Sequence, residues 1–250
     1  MKPRGWWIAV LGAAAVVAMV FVPPIAQDPA YHDFADRRRM LGLPNTLDVV
    51  SNAGFVVVGI LGLLFLRRPG APRSRYERRA SAVLFAGLLV TAAGSVYYHW
   101  APDDATLFWD RLPMTLLFMS MFALVLGDRI GERAGERWLV PLLVAGAASI
   151  VYWRWTGDLR FYAVIQFFPF LAVLLLLALF PPRYDRSADW VVLIGWYALA
   201  KVCEVLDRPV FALGGWVSGH SLKHLTAALA AWWLLRMLQL RRPLDPVAPH

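Results

Sequence analysis

The residues through which this chain could do chemistry fall in three short groups. They are Ser95-Val96-Tyr97-Tyr98-His99, then Trp109-Asp110-Arg111-Leu112-Pro113-Met114, then His220-Ser221-Leu222-Lys223-His224. Residues i and i+4 share a helix face, so His220 and His224 can reach one ion together. His99, from another helix, can supply a third imidazole. Three neutral imidazoles plus a water make a typical catalytic zinc arrangement, with the fourth position left open to substrate. Other ions that accept imidazole fit the same donors. Haem fits poorly, because bis-histidine ligation needs imidazoles on opposite sides of the ring and two of these share one face. Ser95 precedes His99 by one turn, so its hydroxyl can point into the same cavity. Asp110 can serve as a partner or proton carrier for a metal-activated water. Each group alone has a plainer reading: a hydrogen-bonded core histidine, an HxxxH without metal, or an Asp110-Arg111 ion pair at a helix start, where the dipole favours Asp. Their coincidence favours the metal site.

The elements that must position these groups are apolar helices. The 250 residues are 59% hydrophobic and 17% charged, with a mean hydropathy of +0.54, 12 Trp and 14 Phe. Such a composition belongs to a polytopic helical membrane protein, not to a soluble domain. Apolar runs at about 6–22, 47–66, 80–98, 107–126, 138–153, 161–180, 190–206 and 217–238 predict eight spans. The expected fold is therefore an all-α membrane bundle: an N-terminal transmembrane helix in 1–24, a seven-helix domain over 25–240 and a flexible tail at 241–250. A signal peptide shares the layout of the first run, which follows Lys2 and Arg4 and ends at Pro23-Pro24. The length of that run and the poor cleavage site at Pro24-Ile25-Ala26 favour an uncleaved helix. The single cysteine, Cys203, excludes an intrachain disulfide and any cysteine metal cluster.

The net charge of +8 reads as topology and anionic-lipid contact, with no nucleic-acid partner implied. With eight spans both termini share a side. That side receives Lys2, Arg4, the arginines between Arg67 and Arg79, Arg129, Arg133, Arg137, Arg183, Arg186, Arg236, Arg241 and Arg242. The other side receives only Arg37 to Arg39, Arg154, Arg160 and Arg208. The positive-inside rule then places both termini in the cytoplasm. His99, Asp110, His220 and His224 all fall at one depth, toward the non-cytoplasmic face. An ionisable Asp110 at that depth is costly unless it is paired or functional. Lys201 and Glu204, at i,i+3, read as a bundle-stabilising ion pair near the outer interface, the alternative being contact with a polar lipid head. Trp100, Trp109 and Trp216 read as interface anchors.

Ser95-xxx-His99, Asp110 and His220-xxx-His224 together resemble the alkaline ceramidase family, part of the CREST group of seven-helix membrane hydrolases that also includes the progestin and adipoQ receptors. The resemblance covers about residues 33–238, and Asn45-Thr46…Ser51-Asn52 is similar to the opening of that family's first core helix. It implies zinc on His99, His220 and His224, with Asp110 and Ser95 completing an active site that hydrolyses the amide of ceramide or a related N-acyl membrane lipid. The alternative it leaves open is a zinc-containing lipid receptor or sensor without turnover. Animal ceramidases also carry an acidic calcium-binding segment before the core. Here Asp33, Asp36 and Asn45 offer the oxygens Ca2+ prefers, while Arg37, Arg38 and Arg39 argue against a tight site. The first helix has no counterpart in the seven-helix core.

Overall fold

The computed structural model describes residues 6–69, 71 and 74–244. Among these the chain is all-helical: α1 (Trp6–Val20), α2 (Thr46–Val50), α3 (Ala53–Phe65), α4 (Arg75–Trp100), α5 (Asp104–Arg129), α6 (Glu132–Thr156), α7 (Arg160–Leu179), α8 (Ala188–Val205), α9 (Asp207–Ala212) and α10 (Gly219–Leu240), plus a 3-10 turn at Pro29–His32. Thr46–Phe65, α4, α5, α6 and α7 are long and apolar enough to cross a membrane. The last two apolar runs are also helical, as α8 and α10, but Lys201, Glu204 and the histidine pair make them more polar. The apolar helix α1 is shorter, at 15 residues.

Local chemistry sets where these helices begin. Ser74 accepts from the Glu77 amide at the start of α4, and Ser218 from the Ser221 amide at the start of α10. Asp103 and Thr106 form a reciprocal capping box on α5, satisfying amides that a helix start leaves bare. Only residues 101–103 separate α4 from α5, so the two form an antiparallel hairpin with the end of α4 beside the start of α5. Gly94 and Pro113 make that contact close. Pro113 has no N–H, so the Trp109 carbonyl loses its intrahelical donor. A Cβ on Gly94 would overlap that carbonyl.

One large core fills the bundle, including Phe55, Phe85, Leu88, Met121, Trp190 and Leu235. A smaller cluster of Phe34, Tyr98, Leu107, Ile150, Trp153 and Tyr162 lies at the end where α4 finishes and α5 begins. Two features depart from the sequence expectation. The second apolar run is broken at Ser51-Asn52, where Ser51 Oγ and Asn52 Nδ2 donate to the Asp48 carbonyl at 3.0 and 2.8 Å; side-chain donors there compete with the helical ladder. The chain also does not become a loose tail at 241. Arg241 is buried, with Nη2 2.8 Å from Glu77 Oε1, and the Leu244 amide donates to the Arg183 carbonyl. The rest of the expected tail, 245–250, lies outside the described residues, as do residues 1–5.

Candidate metal centre

His99 stands on the last turn of α4, and His220 and His224 on the first two turns of α10. All three are buried, and one nitrogen from each lies within 4.8 Å of the others. The start of α10 is held by two carboxylates. Asp207 Oδ1 accepts from the His220 amide at 2.8 Å, while its Oδ2 accepts from the Ala35 amide at 2.9 Å. Asp48 Oδ1 accepts from Ser218 Oγ at 3.1 Å and from Ser221 Oγ at 2.6 Å. Asn45, in the left-handed conformation that Asn tolerates, donates from Nδ2 to the His99 carbonyl at 2.8 Å. Phe34 packs on the rings of His99 and His220, each at 4.7 Å between centroids.

The donors fit a cation. Ser51 Oγ gives its proton to the Asp48 carbonyl, so it accepts from His224 Nδ1 at 2.8 Å. That network assigns the proton to Nδ1 and leaves a lone pair on Nε2. His99 Nε2 lies 3.3 Å from His224 Nε2. Two nitrogens bound to one zinc at tetrahedral angles are about 3.4 Å apart, from Zn–N bonds of about 2.0–2.1 Å. His220 Nε2 is buried without a hydrogen-bond partner, a state that costs about 1–3 kcal/mol unless something binds there. Soft or borderline divalent ions accept such a set.

Beside the imidazoles lies a cavity of about 120 Å³ whose lining includes His224, Ser95, Asp110, Arg111, Lys223 and Glu204. Ser95 lies against the Asp110 carboxylate. Glu204 gathers Lys201, Lys223 at 3.1 Å and the Tyr31 hydroxyl, which donates at 2.8 Å. The i,i+3 pair read from sequence is thus one part of a larger network that faces the cavity. Burial, followed by the charge of Glu204, holds the Tyr31 phenol well above its usual pKa, so it remains a proton donor. A second, apolar cavity of about 110 Å³ shares Phe55, Met114, Tyr197 and Ala227 with the first and continues it among the helices.

The structure brings His99, His220, His224, Asp110 and Ser95 to one end of the bundle. It does not join Asp110 to Arg111 as an ion pair: among the described residues Arg111 pairs with no carboxylate, and its guanidinium lies 5.0–5.1 Å from the ring centroids of Tyr31, Trp153 and Tyr162. The carboxylates expected for Ca2+ pair with arginines: Asp33 with Arg37 and Arg208, and Asp36 with Arg38 at 2.7 Å. Asn45 uses its Nδ2 on the His99 carbonyl. Burial opposes ionisation of Asp36, but its hydrogen bonds to Arg38 outweigh that and hold its pKa below the usual carboxylate value.

Several participants carried no signal of their own in the sequence. Phe34 and Tyr31 sit in a stretch that reads as a solvated charged loop, yet Phe34 is 3% exposed and covers the imidazoles. Lys223 was visible only as the residue between the two histidines. Ser51 was legible as part of the helix opening, but not as the partner of His224. No family model and no curated protein matches this chain.

Proposed function

We propose that this chain is an intramembrane zinc-dependent amidohydrolase that cleaves the amide bond of ceramide or a related N-acyl lipid. The observation that carries this reading is the convergence of three buried imidazoles beside a cavity lined by Asp110 and Ser95. The same five residues carry the resemblance to alkaline ceramidases. His99, His220 and His224 would hold the ion, which when bound supplies Lewis acidity and a water acidified toward neutral pH. The Asp110 carboxylate would accept a proton from the attacking water and deliver it to the leaving amine nitrogen. The Ser95 hydroxyl, one turn before His99, donates to the amide oxygen as it gains negative charge. The apolar cavity that continues from the site accommodates acyl chain.

In this reading eight helices span the bilayer, a seven-helix core with α1 added. The termini and the arginine-rich ends of α4, α5 and α6 face the cytoplasm, and the metal centre faces the other side. Exposed Trp100, Trp109 and Trp216, close to the metal end, anchor that interface.

The test is hydrolysis of amide lipids by the purified full chain, with and without chelator, alongside metal analysis of wild type and His224→Ala. The reading requires one ion per chain, lost in the variant, and turnover that ends on chelation. Turnover indifferent to chelation and to His220→Ala would overturn it. Binding of zinc and lipid without turnover would instead mark a receptor or sensor.

A further inference from the structure

Arg111 is the one cation lining the polar cavity to which the described residues give no carboxylate. Lys201 and Lys223 share Glu204, whereas Arg111 forms no ion pair among the described residues. It is only 7% exposed, and its Nη1 is buried with no hydrogen-bond partner. A guanidinium cannot relieve that burial by losing its proton. Its Cζ lies 5.0–5.1 Å from the ring centroids of Tyr31, Trp153 and Tyr162, cation–π contacts of roughly 0.5–2 kcal/mol each. Ring faces do not satisfy an in-plane N–H, which calls for an oxygen acceptor. The guanidinium edge matches the two oxygens of a carboxylate or phosphate.

We propose that Arg111 receives an acidic group of the substrate, so that the preferred lipid is an N-acyl amine bearing a carboxylate or phosphate, with N-acyl amino acids the best-fitting class. This rests on the amidohydrolase reading. Arg111 lines the same cavity as Asp110, Ser95 and His224, so an acid on the amine side of the scissile amide can meet the guanidinium while the amide faces those three residues. N-acyl amino acids carry that acid within the same small head group. A neutral ceramide head leaves Nη1 without an acceptor. The fatty carboxylate released by hydrolysis presents the same chemistry, so product capture must be distinguished from substrate recognition.

The experiment compares N-palmitoylglycine with neutral N-palmitoylethanolamine on the purified, zinc-loaded full chain. Turnover and equilibrium binding, read by tryptophan fluorescence, are both measured for wild type, Arg111→Lys and Arg111→Gln. Loss of one charge-assisted contact corresponds to roughly 10- to 100-fold in affinity. The expected result is a preference of that size for the acidic lipid in wild type, carried by KM and not kcat, partly kept in Arg111→Lys and abolished in Arg111→Gln. Equal wild-type affinity for the two lipids overturns the proposal, as does a preference that survives in Arg111→Gln. If only free palmitate binds more weakly to Arg111→Gln, Arg111 captures product, and selection of acidic substrates is refuted. If Arg111→Gln does not fold, wild type and Arg111→Lys still decide, because the proposal requires the wild-type preference. Binding preference without any turnover refutes the hydrolase reading while leaving the acidic-group site standing.

Discussion

Ser51→Ala tests how the metal centre is built, because Ser51 touches no metal and acts only through His224. Its hydroxyl proton goes to the Asp48 carbonyl at 3.0 Å, and its lone pair takes the Nδ1 proton of His224 at 2.8 Å. Alanine removes both contacts, leaves a buried Nδ1–H unsatisfied and frees the ring to take the other tautomer, whose Nε2 carries a proton and cannot ligate. One neutral hydrogen bond contributes about 0.5–1.5 kcal/mol, and leaving its buried donor unpaired costs about 1–3 kcal/mol. The unpaired donor alone corresponds to a fall in metal affinity of roughly 10- to 100-fold, the range seen when partners of metal-bound histidines are removed. The assay is competition for Zn2+ between the purified protein and a chromophoric chelator of known affinity. Ser51→Thr keeps the hydroxyl and should stay within a few-fold of wild type, whereas His224→Ala should lose the ion altogether. If Ser51→Ala binds Zn2+ as tightly as wild type while His224→Ala does not bind, the tautomer argument is wrong.

Asp110→Asn keeps the size of the side chain but cannot carry a proton, so turnover should fall roughly 10²- to 10⁴-fold with one metal still bound per chain; parallel loss of metal would make Asp110 a structural residue. Gly94→Ala pushes a methyl into the Trp109 carbonyl and should destabilise the α4/α5 hairpin by about 1–3 kcal/mol, seen as a lower thermal midpoint in detergent; an unchanged midpoint would deny the close approach. Asp36 has its pKa lowered in the folded chain by Arg38, so it favours the folded state at neutral pH, and that contribution disappears as pH falls below its unfolded value of about 3.9 and through the folded one. Asp36→Asn should therefore lower the melting temperature at pH 7 and narrow its gap from wild type toward pH 3; a gap independent of pH would contradict the Asp36–Arg38 pairing.

Local pattern was enough for much of this protein. The eight apolar runs marked the eight main helical stretches, because apolar runs near twenty residues long, bounded by charges and prolines, read as helices. Alternation of those helices placed His99, Asp110 and the His220–His224 pair at one end of the bundle, and the i+4 spacing aligned the last two on one face. Such inferences need only periodicity and chain direction. Contacts between segments far apart in sequence were illegible, since any of many carboxylates could have met any of many cations. Only packing could decide that Asp33 meets Arg208, that Asp36 holds Arg38, or that Ser51 meets His224 across 173 residues. The same holds for Phe34, which a polar stretch folds down over the imidazoles. Arg111 shows the distinction most plainly. Beside Asp110 in the chain it reads as that residue's partner, but successive helical residues point about 100° apart. The tertiary structure turns Arg111 into a box of aromatic rings and leaves an N–H without an acceptor.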